Sequence, residues 1–267
     1  MRHGEGFHNA AESYYGRPAW LCYWSELGSN GTSVWADALL TQSGIDQATK
    51  ANRFWRSQLI NEGMPAPESY YSSPLSRCTT TANLTFAGLD LPADRPFVPV
   101  IKELLREGIS IHTCDRRSNK TYIQNMFPGY QFEEGFTEHD ELWNGTFAEP
   151  GAAQDARSKA VLDDIFSNDG KTWVSITSHS GEIRSLLSML GHRPFSLSTG
   201  QAIPVLVQAH NNRNVEDPTP ATGSWTFEPT CTSPPVSSGA AGCVCSRVSS
   251  PSLPMVTSSL LTSTASM

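Results

Sequence analysis

Apolar residues recur along the chain with two different periods. Four stretches carry them at the spacing of an amphipathic helix, at about 41–63, 77–88, 152–167 and 180–191. Shorter runs rich in aromatic or β-branched residues predict strands over 68–72, 172–177, 203–208 and 224–228. Because strands alternate with helices, we predict an α/β fold: an open, mainly parallel sheet flanked by helices on both faces.

Two stretches follow neither period. Residues 10–40 are aromatic and irregular, and they predict a long packed loop with at most a short helix. A loop of that length is usually functional, although core packing explains its aromatic side chains equally well. Residues 230–267 are rich in Ser, Thr and Pro, with Arg247 as their one charge, and predict a disordered tail. The folded domain is therefore predicted to be 1–229.

Charge and length exclude several classes of protein. A chain of 267 residues is long enough for one sizeable α/β domain, and its formal net charge of −7 argues against general nucleic-acid binding. No apolar run approaches the roughly 20 residues of a membrane helix, so we expect no membrane span. An acidic protein that handles an anion must concentrate positive charge locally, which makes single arginines informative. The oligomeric state stays open.

The cysteines do not suggest a disulfide framework, because six in a chain of this size are few and scattered. Cys243 and Cys245 have no second matching pair of ligands, so we expect no metal site. Against a cytosolic location stand four Asn-x-Thr acceptor sequences, at Asn30, Asn83, Asn119 and Asn144. We favour a cytoplasmic protein, with a secreted one as the alternative if a further segment precedes Met1.

Candidate chemistry is densest at Arg2-His3-Gly4. A guanidinium pairs bidentately with phosphate oxygens, and an imidazole can attack phosphorus. Arg77 lies where a predicted strand turns into a helix, and helix amides favour an anion there. A surface position is the alternative for Arg77. His179 follows a second buried strand, at the edge where open α/β sheets bind ligands.

Four segments occur in a fixed order along the chain: Arg2-His3-Gly4, Leu40-Thr41-x-x-Gly44, Ser73-Pro74-Leu75-Ser76-Arg77 and Ser178-His179-Ser180-Gly181. In that order they resemble the histidine phosphatase superfamily, the phosphoglycerate-mutase-like proteins. Leu105-Arg106-Glu107, followed by His112-Thr113-Cys114-Asp115, is similar to its fungal phosphomutase-like branch. The resemblance covers about residues 1–228. It implies a parallel sheet with the active site at the carboxyl ends of the strands.

The resemblance also implies roles for matching residues. His3 would be the nucleophile that becomes phosphorylated, while Arg2, Arg77 and His179 would hold the phosphoryl group. Asn9 would donate a further hydrogen bond to that group.

Glu107 would be the proton donor. Glu103, one turn earlier, is the fallback, although a solvated helix face explains it better. Arg116 and Arg117 could hold a second anionic group of the substrate. The resemblance implies neither a metal ion nor a cofactor.

One departure from the family concerns the first strand. In the family, Arg-His-Gly ends a strand in the middle of the sheet, whereas here Met1 alone precedes Arg2. We therefore expect the first strand to be missing, through a misassigned start or because the chain is a fragment. Phosphoryl transfer depends on positioning, so His3 would be poorly placed.

The expected activity is hydrolysis of a small-molecule phosphate monoester through a phosphohistidine intermediate. Neutral His3 would attack phosphorus, protonated His179 would neutralise charge, and Glu107 would start protonated to serve the leaving group. A phosphomutase acting on a sugar phosphate is the first alternative. The second is a non-catalytic phosphoglycerate-mutase-like protein that keeps the pocket.

Overall fold

The computed structural model describes residues 1–209, 224–227, 230–239 and 242–245. Its α-helices are α1 (Phe7–Tyr15), α2 (Arg17–Cys22), α3 (Gln42–Asn61), α4 (Ser76–Phe86), α5 (Lys120–Met126), α6 (Gly151–Asn168) and α7 (Ser180–Met189). Its strands are β1 (Ser69–Ser72), β2 (Val100–Ile101), β3 (Gln131–Phe132), β4 (Phe147–Ala148), β5 (Val174–Thr177), β6 (Thr226–Phe227), β7 (Ser237–Gly239) and β8 (Gly242–Val244). Short 3-10 helices lie at Trp24–Glu26, Glu103–Leu105 and Thr113–Asp115.

The central sheet has four strands in the order β3-β2-β1-β5, and every pair is parallel. Neighbouring side chains on a strand point to opposite faces. Tyr70 of β1 accordingly packs with Phe86 of α4 and with Trp55 of α3. Tyr71 packs on the other face against a cluster that includes Leu162 of α6 and Leu186 of α7. The predicted open parallel sheet with helices on both faces is confirmed.

Residues 1–3 lie beside β5 as an extension of the sheet. They form an isolated parallel bridge, Arg2 with Ser178, and not a regular strand. The prediction that His3 would be poorly placed is wrong, however. The His3 amide donates to the Ser178 carbonyl at 3.0 Å, and the Ser178 amide donates to the Met1 carbonyl at 2.9 Å. The backbone that carries His3 is therefore fixed by the sheet.

The stretch predicted as a long loop with at most a short helix, 10–40, holds most of α1, all of α2 and a 3-10 turn, so the prediction is wrong for its first half. Trp20 is 3% exposed and Trp35 is fully buried, and their rings pack edge to face. Both belong to a cluster with Ala11, Ala38 and Cys114. Core packing, the second of the two explanations, accounts for these aromatic side chains.

Four cysteines form two disulfides, Cys22–Cys243 and Cys231–Cys245, while Cys78 and Cys114 are free and buried. The expectation of no disulfide framework is therefore wrong. Partners that lie 221 residues apart in sequence give no spacing pattern to recognise.

The segment predicted to be a disordered tail is ordered in part. β7 and β8 pair as an antiparallel hairpin, which the first disulfide fastens to α2. The prediction is thus wrong for 230–239 and 242–245, because covalent links replace the apolar burial that this segment lacks. The rest of the predicted tail, 240–241 and 246–267, lies outside the described residues. The domain boundary at 229 stays a prediction.

The remaining element predictions have mixed outcomes. All four helices are present, and Thr41 caps α3 by accepting the Gly44 amide at 3.2 Å. The strand predicted at 203–208 is wrong, because that segment has no regular structure. β6 forms within 224–228, but it pairs with β4 in a separate antiparallel sheet. Among the described helices, none has both the length and the apolar character to cross a bilayer.

Candidate active site

His3 is buried, with 1% of its surface exposed, at the edge of the sheet. Its Nδ1 lies 2.6 Å from the Gly4 carbonyl oxygen. Because a carbonyl can only accept, Nδ1 carries the proton and Nε2 keeps its lone pair. Burial, and then the charge of Arg77, hold the pKa of His3 well below its ordinary value. A neutral imidazole with a free Nε2 is the form that acts as a nucleophile.

The backbone after His3 crosses the start of α3 at very close range. A Cβ atom on Gly4 would lie 2.4 Å from the Gly44 carbonyl oxygen, and one on Gly44 would lie 2.1 Å from that of Glu5. Neither site can hold a side chain without backbone movement. Thr41 Oγ1 also donates to the Glu5 carboxylate at 2.7 Å. The Leu40-Thr41-x-x-Gly44 segment therefore holds the chain that follows the candidate nucleophile.

Arg77, the second residue of α4, is buried, so the surface alternative is wrong. Its Nε donates to His179 Nδ1 at 3.2 Å and its Nη1 donates to the Cys114 carbonyl at 2.6 Å. Its Nη2 lies 3.6 Å from Asp115 Oδ1. His179 directly precedes α7, and its ring centroid is 5.1 Å from that of His3. The structure thus brings His3, Arg77 and His179 together.

The charge state of His179 differs from the expected one. Burial, followed by the charge of Arg77, lowers the pKa of His179 well below its ordinary value, so the ring is neutral. Since Nδ1 accepts from Arg77, Nε2 carries the proton and donates to Ser73 Oγ at 2.8 Å. The positive charge at this position comes from Arg77 and not from the imidazole.

Arg2 and Asn9 lie at the start of the same region. Arg2 Nη1 donates to the Leu197 carbonyl at 2.8 Å, while its Nε is buried with no hydrogen-bond partner among the described residues. Asn9 Oδ1 accepts the Gly6 amide at 3.0 Å and so caps α1, which leaves the carboxamide nitrogen as its donor. Contact of either residue with a phosphoryl group stays a prediction.

Glu107 lies against the N-terminus of α7. Its carboxylate accepts the Gly181 amide at 3.2 Å and the Glu182 amide at 3.1 Å. A Cβ atom on Gly181 would lie 2.2 Å from Glu107 Oε1, so the glycine is needed for this contact. The Glu107 charge also acts on Arg2, where it partly offsets the lowering of the Arg2 pKa by burial. Glu107 is therefore held at the same end of the sheet as His179.

Arg117 does not belong to the site. It is 3% exposed, and its guanidinium donates to the Glu103 carboxylate at 2.7 Å and to the carbonyls of Thr137 and His139. The prediction that Arg117 holds a substrate anion is wrong, because its donors are used within the protein. Glu103 bridges Arg117 and Arg106, so the solvated position expected for it is also wrong.

Arg116 remains available at the surface. Its side chain is exposed, and its guanidinium carbon lies 5.3 Å from the centre of the Trp143 ring. A role in binding a second anionic group therefore stays a prediction for Arg116 alone.

His8 was given no role by sequence reasoning. Its ring centroid lies 5.4 Å from that of His3, and its Nδ1 is buried without a hydrogen-bond partner among the described residues. Burial, and next the charge of Arg77, hold the pKa of His8 well below its ordinary value. The helix α1 was not predicted from the sequence. A helix that begins at Phe7 directs His8 toward His3, so this helix would have indicated the contact.

Asp37 was missed as well. Its carboxylate accepts the Ser76 amide at 2.8 Å, the Ser76 hydroxyl at 2.7 Å and the Ser118 amide at 3.0 Å. It therefore caps α4 at the turn that carries Arg77. Asp37 has a φ of 40°, an uncommon conformation for a residue other than glycine. An isolated acid in an irregular stretch gives no sequence signal of this contact.

One group of potential metal ligands occurs among the described residues. One atom each from His112, Cys114 and Asp115 can lie within 4.8 Å of the others. Burial raises the pKa of Cys114 well above its ordinary value, so it stays a thiol. Asp115 accepts the Ser110 hydroxyl at 2.6 Å and faces Arg77. These contacts make Asp115 a support for Arg77 and do not indicate a metal site.

Comparison with known proteins adds evidence independent of this geometry. The family model described as histidine phosphatase superfamily (branch 1) matches residues 23–205, a range that includes Arg77, Glu107 and His179 but not His3.

Three fungal relatives are similar over most of the chain. A protein of Arthroderma benhamiae named probable phosphoglycerate mutase is 51% identical over 81% of this chain and 65% of its own length. Phosphomutase-like protein 3 of Candida albicans is 40% identical over 89% of this chain and 72% of its own. A probable phosphoglycerate mutase of Saccharomyces cerevisiae is 32% identical over 79% and 78%. The chain thus spans less than two thirds of the Arthroderma relative, and it belongs to the histidine phosphatase superfamily, in its fungal phosphomutase-like branch.

Proposed function

We propose that the chain hydrolyses phosphate monoesters of a small metabolite through a phosphohistidine formed on His3. The observation that carries this proposal is the contact between His3 Nδ1 and the Gly4 carbonyl at 2.6 Å. It leaves Nε2 unprotonated on a buried ring, beside Arg77 and His179. A nucleophile held in one tautomer next to a fixed cation is what phosphoryl transfer requires.

Arg2 and Arg77 supply the positive charge that stabilises the transferred phosphoryl group. Arg77 is oriented by the Cys114 carbonyl and by Asp115, so it needs little reorganisation during the reaction. In the free protein His179 donates its Nε2 proton to Ser73 Oγ, and in the complex that proton would turn to a phosphoryl oxygen. The ring stays neutral while its Nδ1 accepts from Arg77 Nε, so the guanidinium supplies the positive charge.

The reaction has two steps. Glu107 takes up a proton as the anionic ester binds beside it, because the negative charge of the ester disfavours a second anion. His3 Nε2 then forms a bond to phosphorus while the ester P–O bond breaks, and Glu107 gives that proton to the departing alkoxide. The amides of Gly181 and Glu182 stabilise the carboxylate that remains. Water then attacks phosphorus, Glu107 takes a proton from it, and the N–P bond breaks to release inorganic phosphate.

His8 completes the binding site in this proposal. A buried polar atom without a partner costs about 1–3 kcal/mol, so its retention needs an explanation. A neutral ring whose centroid is 5.4 Å from that of His3 can use its hydrogen-bonding atoms on the bound ester.

Two alternatives are less well supported. The names of the fungal relatives favour a phosphomutase, which must retain the phosphohistidine and hold a second anionic group of a sugar phosphate. Arg117 is unavailable for that task, and Arg116 is exposed. A non-catalytic protein fits poorly, because His3, Arg77, Glu107 and His179 are all present with their supports.

Product analysis separates the three activities. The protein is incubated with p-nitrophenyl phosphate and with a panel of sugar phosphates, and both inorganic phosphate and isomerised ester are measured. The proposal expects phosphate release and a base-stable, acid-labile phosphoprotein. Isomerised ester without phosphate release would establish the mutase, and no turnover together with no phosphoprotein would establish the non-catalytic protein.

A further inference from the structure

The four Asn-x-Thr sequences occupy two kinds of structural environment. Asn30, Asn119 and Asn144 are exposed, whereas Asn83 is half-buried inside α4 and its partner Thr85 is fully buried. We propose that Asn30, Asn119 and Asn144 carry N-linked oligosaccharides and that Asn83 does not. This inference does not rest on the proposed function.

Two of the exposed acceptors share one local geometry. The side-chain oxygen of Asn30 accepts the Thr32 amide at 3.0 Å, and that of Asn144 accepts the Thr146 amide at 2.9 Å. With the oxygen bound to the backbone, the carboxamide nitrogen is directed away from it. That of Asn30 donates to Tyr15 Oη at 2.9 Å in an exposed contact. A glycosylated carboxamide keeps one N–H, so this contact can persist.

The carboxamide nitrogen of Asn119 is also directed away from the backbone, but through a different contact. Its side-chain oxygen accepts the Tyr122 amide at 2.8 Å at the start of α5. Asn119 and Thr121 are both exposed, so the nitrogen faces solvent beside an accessible hydroxyl. By contrast, Asn83 adjoins a small cavity that is also lined by Phe97 and Phe127. Its partner hydroxyl on Thr85 is fully buried, so the Asn83 acceptor lacks the accessible hydroxyl that the exposed sites have.

The disulfides indicate the compartment in which this modification takes place. Disulfides persist in oxidising compartments and are rare in the cytosol. The structure joins Cys22 to Cys243 and Cys231 to Cys245. The secretory pathway supplies both the oxidising conditions and the glycosylation of Asn-x-Thr sequences. This favours the secreted alternative over the cytoplasmic location.

The donor would be an oligosaccharide linked to a lipid diphosphate. The acceptor carboxamide nitrogen forms a bond to C1 of the first sugar, and the bond from C1 to the diphosphate oxygen breaks. The lipid diphosphate leaves with the electron pair, and the nitrogen loses one proton to a base. No oxidant or reductant is consumed.

The test uses the native protein purified from the organism that encodes it. Peptide-N-glycosidase in H₂¹⁸O converts each occupied asparagine to an ¹⁸O-labelled aspartate, which peptide mass spectrometry locates. We expect the label at Asn30, Asn119 and Asn144 and its absence at Asn83, the internal control. A parallel digest without reduction should contain the two disulfide-linked peptide pairs.

Two results would overturn the proposal. Native protein without label at any of the three exposed sites would show that they are not used. Labelling at Asn83 would show that exposure does not select the acceptors. As a check on the assignment, replacing Asn30, Asn119 and Asn144 with Gln, one at a time, should each remove one oligosaccharide from the intact mass.

Discussion

The Nε atom of Arg77 donates a hydrogen bond to Nδ1 of His179 across 3.2 Å. This contact fixes the tautomer of His179, so that its proton sits on Nε2. Arg77 therefore has two tasks, to carry charge and to orient the imidazole. Arg77→Lys keeps the charge but loses the planar fork and the Nε donor. It should restore little of the kcat/KM lost in Arg77→Ala, where we expect a loss of at least about 10³-fold.

Arg116→Ala is the matched control for Arg77. Arg116 is exposed and stacks on Trp143, so its removal should change kcat/KM by less than about tenfold for a substrate with a single phosphate. Equal losses for Arg77→Ala and Arg116→Ala would contradict the placement of the phosphoryl group.

Removing the imidazole of His3, the proposed nucleophile, should abolish covalent labelling of the protein by a phosphate ester. His3→Ala lacks Nε2, so incubation with a ³²P-labelled phosphate ester should leave no acid-labile phosphoprotein. His139 is an exposed histidine, and His139→Ala should label like the unchanged protein. Label that persists in His3→Ala would assign the nucleophile to another residue, with His8 and His179 as the next variants to test.

Replacing Glu107, the proposed proton donor, should lower turnover by an amount that depends on the leaving group. Glu107→Gln should lower turnover of alkyl phosphates by about 10²- to 10⁴-fold and turnover of p-nitrophenyl phosphate far less, because a weakly basic leaving oxygen needs no proton. Glu103→Gln breaks ion pairs with Arg106 and Arg117 instead. It should lower the melting temperature without changing the ratio of alkyl to aryl turnover. A changed ratio of alkyl to aryl turnover in Glu103→Gln would assign the proton donor to Glu103 in place of Glu107.

The backbone of Gly44 lies directly against that of Glu5. A single methyl group added at Gly44 should therefore lower both stability and turnover. Gly44→Ala places Cβ 2.1 Å from the Glu5 carbonyl oxygen, and forced overpacking typically costs about 1–3 kcal/mol. We expect a lower free energy of unfolding and reduced turnover, since the chain after His3 must move. Gly129→Ala meets no neighbour within 4 Å and should leave both unchanged. Normal stability in Gly44→Ala would show that α3 and the Arg2-His3-Gly4 segment can separate freely.

Stability should also depend on pH through Glu182. Burial raises its pKa from 4.5 to about 7, although Arg157 lies 3.2 Å away. Between those two values the folded state holds a proton that the unfolded state has lost. The contribution of Glu182 to the free energy of unfolding therefore falls as pH rises through this window, by on the order of 3 kcal/mol. The three buried histidines of the site, whose pKa values are lowered, contribute in the opposite direction.

Denaturant unfolding at pH 5 and pH 8 measures this effect. Glu182→Gln cannot titrate, so the change in its free energy of unfolding from pH 5 to pH 8 should be more positive than that of the unchanged protein. Glu141→Gln, at an exposed position, should behave like the unchanged protein. An equal pH dependence in all three proteins would remove Glu182 as its source.

Local signals were enough to predict much of the fold. β1, β5 and the helices around them were predictable, because strand patterns, caps and amphipathic spacing are properties of adjacent residues. The same signals placed Arg77 and His179 at one end of the sheet, since the carboxyl ends of parallel strands meet there. The roles of His3 and Glu107 were predicted from the family resemblance and not from these signals.

What was missed depends on tertiary contacts. Arg116 and Arg117 are identical neighbours in sequence. Arg117 differs because its guanidinium donates to the carbonyls of Thr137 and His139, which are distant in sequence and so could not be foreseen. Cys22 and Cys243 gave no signal for a similar reason, since nothing near either one in sequence indicates its partner. Asp37 needed the position of α4 before its role could be seen.

The Cys22–Cys243 disulfide has a consequence for the protein after proteolysis. A single cut in the turn at residues 28–33 would place His3 and Arg77 on different polypeptides. Cys22 stays with the first piece and Cys243 with the second, so the two remain one covalent molecule. Dilution could not part them, because their reassociation would be intramolecular. The nicked protein thus keeps its two pieces together until a reductant cleaves the bond.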